Sequence, residues 1–277
     1  MGIYPQPNSW LCGPFALKHA LIALGVFENE WALARAAGTD TGGTDERDLA
    51  RAARQHDCSV RMIRVHYAED AREELVHHLD AGMPTLLCIE QWDHWITAMH
   101  HEDGRFVLFD SRGPHVIRVM TWEELQPKWE YREESGGVIY DLHPVVSRNR
   151  HAKGTASFSL ERAKWLARPQ HAGLARQWSD YARLLLAHGR SRPTDGNHDM
   201  FSRPLSDALE GLEQRLVAEV EARMGSTDAD GTRQVLERLR FVADTYALNI
   251  DAERELGLAP AVQDFVINRL RIARPVG

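Results

Sequence analysis

Cysteine is scarce: the 277 residues hold three, Cys12, Cys58 and Cys88, at irregular spacing. Three scattered thiols build neither a disulfide framework nor a cysteine-rich zinc site, and an odd count leaves one free. A reducing compartment would keep such a thiol usable. Long hydrophobic runs are missing too. No apolar stretch reaches the length of a membrane span and no signal peptide precedes Cys12, so a cytoplasmic protein is expected. Positive charge is also in deficit. The 33 Lys and Arg face 40 Asp and Glu, and a net charge of −7 argues against non-specific nucleic-acid binding. The deficit sits in residues 1–146, at −10, whereas 147–277 carry +3. It reads as a solvated acidic surface, although it would also attract basic peptides.

What remains is ordinary globular material, 43% hydrophobic and 26% charged, long enough for one large domain or two modest ones. The first half alternates helical and extended patterns. Residues 13–25 predict a helix ended by Gly25, and residues 29–37 a second. Gly38–Thr44 is a turn-rich loop, after which Thr44 or Asp45 caps a helix through residue 55. Ser59–His66 reads as extended, and Ala71–Ala81 as a helix stopped by Gly82. From Pro84 the period changes. Thr85–Glu90, His94–His100, Arg105–Asp110, Val116–Met120 and Val138–Leu142 predict short strands separated by turns such as Glu102-Asp103-Gly104. Three helices followed by an antiparallel sheet predict an α+β layout, in which a cysteine on the first helix can face the sheet.

No comparable strands are expected in the second half. Polar Ser147–Lys153 reads as a linker between a domain 1–146 and an all-α region 147–277. Helices are predicted over 159–167, 170–188, 204–224, 232–249 and 260–273, with a mobile loop over Ser191–Asn197. Leu205, Leu209, Leu212, Leu216 and Val220 form one apolar stripe; Val235, Leu239, Val242 and Tyr246 form another. Both read as helix–helix packing, the less demanding interpretation than a surface for a protein partner or self-association.

The chemistry lies in four residues. Cys12 falls where a helix begins, and unpaired N–H groups and the macrodipole there favour a thiolate. Its own N–H and the side-chain amide of Gln6 would serve a developing oxyanion. His94 would take the thiol proton and return it to a leaving amine, and Asp110 would fix the imidazole tautomer. A hairpin turning at Gly104 brings the start of one strand beside the end of the next, so His94 and Asp110 can meet. Trp95 adjoins the base and is expected to border the substrate channel, whereas Trp92 reads equally as channel or core. Taken singly, each residue has a purely structural interpretation; their order, spacing and placement support the joint one. Other groupings are weaker. His77-His78 with His94, His100 and His101 match no zinc spacing. Asp228–Gly231 fails as a calcium loop, and Gly42-Gly43 reads as a turn.

The first 145 residues resemble the bacteriocin-processing, double-glycine cysteine peptidases of the papain-like clan. The resemblance rests on Gln6 six residues before the Cys12-Gly13 pair, Gly43-Thr44 before a helix, Gly82-Met83-Pro84 entering a strand, His94-Trp95-Ile96, and the turn Asp110-Ser111-Arg112-Gly113. It implies a Cys12–His94–Asp110 triad with Gln6 as oxyanion donor and Gly13 and Trp95 beside the substrate. It also implies cleavage of a peptide after paired small residues, with no metal or other cofactor. The chain departs from the pattern at Leu11, where an acidic residue is usual, at Pro14 after Cys-Gly, and at Ser111, where proline is common. No fused transporter portion or Walker loop follows. Two other functions are compatible with the same residues. One is acyl transfer from the Cys12 acyl-enzyme to an amine; the other is a non-catalytic binding module on a peptidase fold.

Overall fold

The computed structural model describes residues 1–148, 154–191, 202–224 and 229–273. A 3-10 turn, Ser9–Leu11, runs into α1 (Cys12–Ala23), followed by α2 (Glu30–Ala37) and α3 (Glu46–Arg54). Local signals explain these bounds. Asn29 accepts a hydrogen bond from the Ala32 N–H at 2.7 Å and opens α2; Gly38, at φ +70°, closes it. Asp45 caps α3 through the Asp48 N–H at 2.8 Å. Every residue of α1 is buried, as for a helix enclosed on all sides.

Next come β1 (Cys58–Val60), β2 (Ile63–Val65), α4 (Ala68–Asp80), β3 (Thr85–Ile89), β4 (His94–Glu102), β5 (Arg105–Phe109), β6 (Ile117–Thr121), α5 (Trp122–Trp129), β7 (Tyr131–Arg132) and β8 (Val138–Ser147). The strands form one antiparallel sheet in the order β1-β8-β3-β4-β5-β6, with β2 and β7 also on β8. All five β3 residues are buried, because the sheet is covered on both faces. Leu86 and Cys88 pack with α1, α2 and α3; Leu87 and Ile89 pack with α4 and α5. α5 lies in a stretch with no helix in the sequence-based layout. Its signal is the capping box of Thr121 and Glu124, and it holds despite Pro127.

The described residues divide into two compact units, Met1–Gln177 and Trp178–Gly277. This division and the change from mixed to helical sequence at 146–147 do not coincide. α6 (Leu160–Leu166) and α7 (Ala172–Arg176) lie in the first unit. The Leu160 N–H donates to Glu102, and the Ile3 N–H donates to the Ala175 carbonyl. The second unit holds α8 (Trp178–His188), β9 (Arg190–Ser191), β10 (Ser202–Pro204), α9 (Leu205–Met224), α10 (Ala229–Thr245), β11 (Leu248–Asp251) and α11 (Ala252–Ala273). Both apolar stripes pack inward, with Leu212 half-buried and the others buried. The helical region also carries a small sheet, β10-β11-β9, that periodicity does not foretell; strands of two to four residues are too short to show a period. Consequently the helix expected over 232–249 stops at Thr245, and the one expected from Pro260 begins at Ala252 and runs through that proline. Most of the expected Ser147–Lys153 linker and the Ser191–Asn197 loop, and Asp228, lie outside the described residues.

An ion pair is enclosed beneath α1. Lys18 has no exposed surface; its Nζ lies 3.3 Å from Glu30 Oε2 and 3.8 Å from the ring centroids of Tyr4 and Phe15. The Tyr4 hydroxyl donates to the same carboxylate. Burial pulls the Lys18 pKa down to about 8 although Glu30 opposes it. Glu30→Gln strands the cation, so it is expected to cost about 3 kcal/mol, read as a lower denaturant midpoint at unchanged slope. The sign with pH also follows. The unfolded chain holds the Lys18 proton up to the ordinary 10.5 and the folded chain only to about 8. From about 8 upward, this lysine therefore contributes stability that increases with pH.

Candidate active site

Cys12 opens α1, where no side chain caps the helix and no acidic residue sits in the first turn. The positive end of the helix is thus left to the thiol. The side chain is buried, 4% exposed. Burial by itself raises a thiol pKa. Here it is outweighed by the His94 imidazole and by the backbone N–H groups of Trp95 and Gly13, and Cys12 lies below the ordinary value. The other two cysteines go the opposite way. Burial, then the Asp57 charge, pushes Cys58 up to about 11; burial, then the Cys12 charge, pushes Cys88 up as well. One thiol of three is shifted downward.

His94 is held by an over-determined turn. Glu90, Gln91 and Trp92, between β3 and β4, all have positive φ, at 55°, 57° and 65°. Three consecutive non-glycine residues in that region are strained and persist only where the surroundings enforce them. The Glu90 N–H donates to the Lys128 carbonyl, Gln91 Nε2 to the Glu130 carbonyl, and the Arg132 N–H to Gln91 Oε1. The Trp92 ring stacks on Tyr131 at 3.7 Å. Arg112 pairs with both Glu90 and Asp93, tying this turn to the one after Asp110.

Asp110 reaches His94 because of a register shift. Along the β4–β5 hairpin the pairs run from Glu102↔Arg105 to His100↔Val107, then change by one residue to Ala98↔Leu108 and Thr97↔Phe109. Continued one step, the shifted register sets Asp110 opposite Ile96, on the His94 side of the pleat. Without the extra residue at Met99 it would face Thr97, whose hydroxyl points the other way, to the Ala16 carbonyl on α1. A bulge thus decides which face the acid occupies.

His94 Nε2 lies 2.7 Å from Asp110 Oδ1. Its Nδ1 is buried and has no hydrogen-bond partner among the described residues. Asp110 Oδ1 also accepts the Arg112 N–H at 3.0 Å, and Oδ2 lies 3.2 Å from Arg118 Nε. Burial works against the charge on both partners, yet each gains more from the other. His94 is raised above the ordinary imidazole value, chiefly by Asp110 and then Cys12; Asp110 is held below the ordinary carboxyl value, chiefly by His94 and then the Arg112 N–H.

Gln6 is clamped at both ends of its amide. Oε1 accepts from Ser111 Oγ at 2.6 Å, Nε2 donates to the Asn8 carbonyl at 2.6 Å, and the Gln6 N–H donates to the Ser111 carbonyl. Ser111 therefore couples the segment before Cys12 to the turn after Asp110. Sequence reasoning missed it, because its partner is far along the chain. Gly13 packs under the loop between α2 and α3: a Cβ there would stand 3.0 Å from Thr44 Cβ. Trp95 is buried and donates to the Thr44 carbonyl at 2.9 Å. Together with Trp92 it lines a cleft of about 440 Å³ beneath that loop. His19, on the turn of α1 below, is fully buried between Phe15 and Phe109, with neither ring nitrogen bonded among the described residues. Among the described residues, no three His, Cys, Asp or Glu side chains converge as a metal set, and no helix is long and apolar enough to cross a membrane.

No protein-family model and no curated protein matches the sequence. Several solved structures align with about half of the chain, three of them as follows. The peptidase domain of ComA from Streptococcus, a bifunctional ABC transporter involved in a quorum-sensing pathway, is 17% identical; it covers 50% of this chain and 96% of that one, with a TM-score of 0.40. A double-glycine-motif protease from an AMS/PCAT transporter, solved with its leader peptide, is 14% identical over 51% of this chain and 90% of that one, with a TM-score of 0.39. The Streptococcus mutans ComA peptidase domain is 17% identical over 51% and 98%, with a TM-score of 0.35.

Proposed function

We propose that the protein is a cysteine peptidase that hydrolyses a peptide or protein through Cys12, His94 and Asp110. The observation that carries this reading is a buried imidazole bonded to a carboxylate through Nε2, its Nδ1 unpartnered among the described residues, together with a thiol that this imidazole acidifies while both other thiols are raised. In this proposal the reacting form of the pair is a thiolate beside an imidazolium whose Nε2–H is directed to Asp110, the form that both shifts favour. The thiolate attacks the scissile carbonyl carbon, and charge moves onto the carbonyl oxygen. As the tetrahedral intermediate collapses, His94 gives its Nδ1 proton to the departing amine, leaving a thioester on Cys12. Water then loses a proton to His94 and attacks the thioester; the acid product leaves and the imidazolium–thiolate pair is restored.

The oxyanion needs donors that are already in place. The Cys12 N–H, at the start of α1, is one in this proposal. Gln6 is the other in this proposal: the Asn8 bond takes one amide hydrogen, while the second makes only a longer contact to the Ser9 carbonyl, at 3.3 Å. Gln6→Ala is expected to lower kcat by about 10²-fold with little change in KM. Ser111→Ala, which frees the amide without removing it, should show a smaller loss of the same kind. If Gln6→Ala raised KM alone, the residue would bind substrate rather than stabilise the transition state.

Cleavage after paired small residues is the finer form of this proposal. Mass-spectrometric analysis of products from a mixed peptide pool, repeated with added amines, tests reaction and site together. New carboxyl termini following small residue pairs are expected. Amide products formed from the added amines would make the protein an acyltransferase instead.

A further inference from the structure

The cleft beside Trp95 is charged for one kind of ligand. Five carboxylates line it, from Asp40, Asp45, Glu46, Asp48 and Asp141, against the single guanidinium of Arg64. Four of the five are already used. Asp40 accepts the Gly42 N–H, Asp45 caps α3, Asp48 pairs with Arg51, and Asp141 takes Arg64 in a two-point bond at 2.7 and 2.9 Å. Glu46 has no hydrogen bond or ion pair among the described residues, although its charge acts on Arg64 from a distance. A second group without a hydrogen-bond partner lines the same cleft. His143 is only 4% exposed and has no hydrogen-bond partner among the described residues, its Nδ1 being wholly enclosed. Burial holds this imidazole neutral, so it adds no opposing charge.

The walls suit a long cation better than a metal ion. The cavity is far larger than one ion needs, and its acidic groups do not converge as a ligand set. Trp92 and Trp95 offer aromatic surface for an alkyl stem or a cationic head. The protein's own Arg64 shows that chemistry, its guanidinium carbon lying 5.3 Å from the Trp92 ring. Position relates the cleft to the nucleophile: the Trp95 N–H supports the Cys12 thiolate while its indole walls the cleft.

We propose that this cleft is a specificity pocket for a basic side chain of the peptide substrate, a lysine or arginine whose head meets Glu46 and His143 and whose stem lies along Trp95. The inference rests on the peptidase reading above. It assigns the acidic excess of the first half a binding role at the site rather than one of solvation alone.

The test scans internally quenched peptides bearing lysine, norleucine or glutamate at each position on both sides of the cleaved bond. Lysine and norleucine differ in charge but hardly in length. At one position the lysine peptide should be cleaved about tenfold faster than the norleucine peptide, a step of about 1.4 kcal/mol, with glutamate slowest. Glu46→Gln should remove most of that ratio and leave the iodoacetamide reactivity of Cys12 unchanged. Peptide cleavage with no lysine preference at any position overturns the pocket and leaves the peptidase reading standing. If no peptide in the set is cleaved, the pocket is read through Cys12 itself. Its rate with a trimethylammonium-ethyl methanethiosulfonate, relative to the sulfonatoethyl reagent, should fall at least about threefold in Glu46→Gln; an unchanged ratio overturns the pocket. A Cys12 that reacts with iodoacetamide like an ordinary thiol ends the peptidase reading, and this inference with it.

Discussion

Cys12→Ala is expected to abolish peptide hydrolysis, lowering kcat by on the order of 10³-fold or more, while the protein stays folded. The size of the effect follows from the role: without the sulfur there is no acyl-enzyme, and the remaining donors and binding surface cannot replace a nucleophile. The stability cost is small by comparison. A buried cysteine packs as a small apolar group, and truncating it to alanine removes one atom, at about 1 kcal/mol. Cys58→Ala and Cys88→Ala are the internal controls. Both thiols are buried and raised above their ordinary value, so their loss should cost stability and leave the rate per folded molecule near wild type. Residual hydrolysis in Cys12→Ala comparable to wild type would remove the thiol from the mechanism.

The second large effect concerns Asp110, where two substitutions separate charge from orientation. Asp110→Ala leaves His94 Nε2 without its acceptor and the Arg112 N–H without its partner. The ring is then free to turn or to change tautomer, and a loss of about 10²- to 10⁴-fold in kcat is expected. Asp110→Asn should be milder. Its carbonyl oxygen can keep the place of Oδ1, accepting from both His94 and Arg112, but its amide hydrogens then face the Arg118 guanidinium. Orientation survives while the negative charge does not. A loss between wild type and the alanine variant is expected, with the imidazolium less stable and the alkaline limb of the pH–rate profile displaced downward. Equal losses in both variants would make charge, not positioning, the whole of its contribution.

The parts of this site that sequence revealed are those set by local chemistry. Cys12 is legible because it falls where an apolar helical pattern begins. Gly25, Gly38 and Gly82, all with φ near +70°, are legible as helix stops. The His94–Asp110 pairing is legible as a hairpin through Asp103-Gly104. What makes that hairpin work is not. The extra residue at Met99 fixes which face Asp110 occupies, and a bulge leaves no mark in a run of apolar residues. The left-handed turn at Glu90, Gln91 and Trp92 is equally hidden, since none of the three favours that conformation and distant groups enforce it. Partner choice across the sheet is non-local as well. β8 pairs with β1, β2, β3 and β7, though the sequence shows only one extended run ending at Leu142. α5 is a different case: its capping box is readable, but a proline and two flanking strands draw attention away from it.

The most direct measurement is the pH dependence of Cys12 alkylation by iodoacetamide, followed by mass mapping, in the wild type and in His94→Ala. The structure places the Cys12 pKa below the ordinary thiol value largely through His94, and the His94 pKa above the ordinary imidazole value. The wild-type rate should therefore rise with an inflection below about 8.5, where a free thiol ionises. In His94→Ala, burial is left with fewer opponents, and the inflection should move up. A wild-type Cys12 that ionises near 8.5 and does not respond to the loss of His94 would contradict the account.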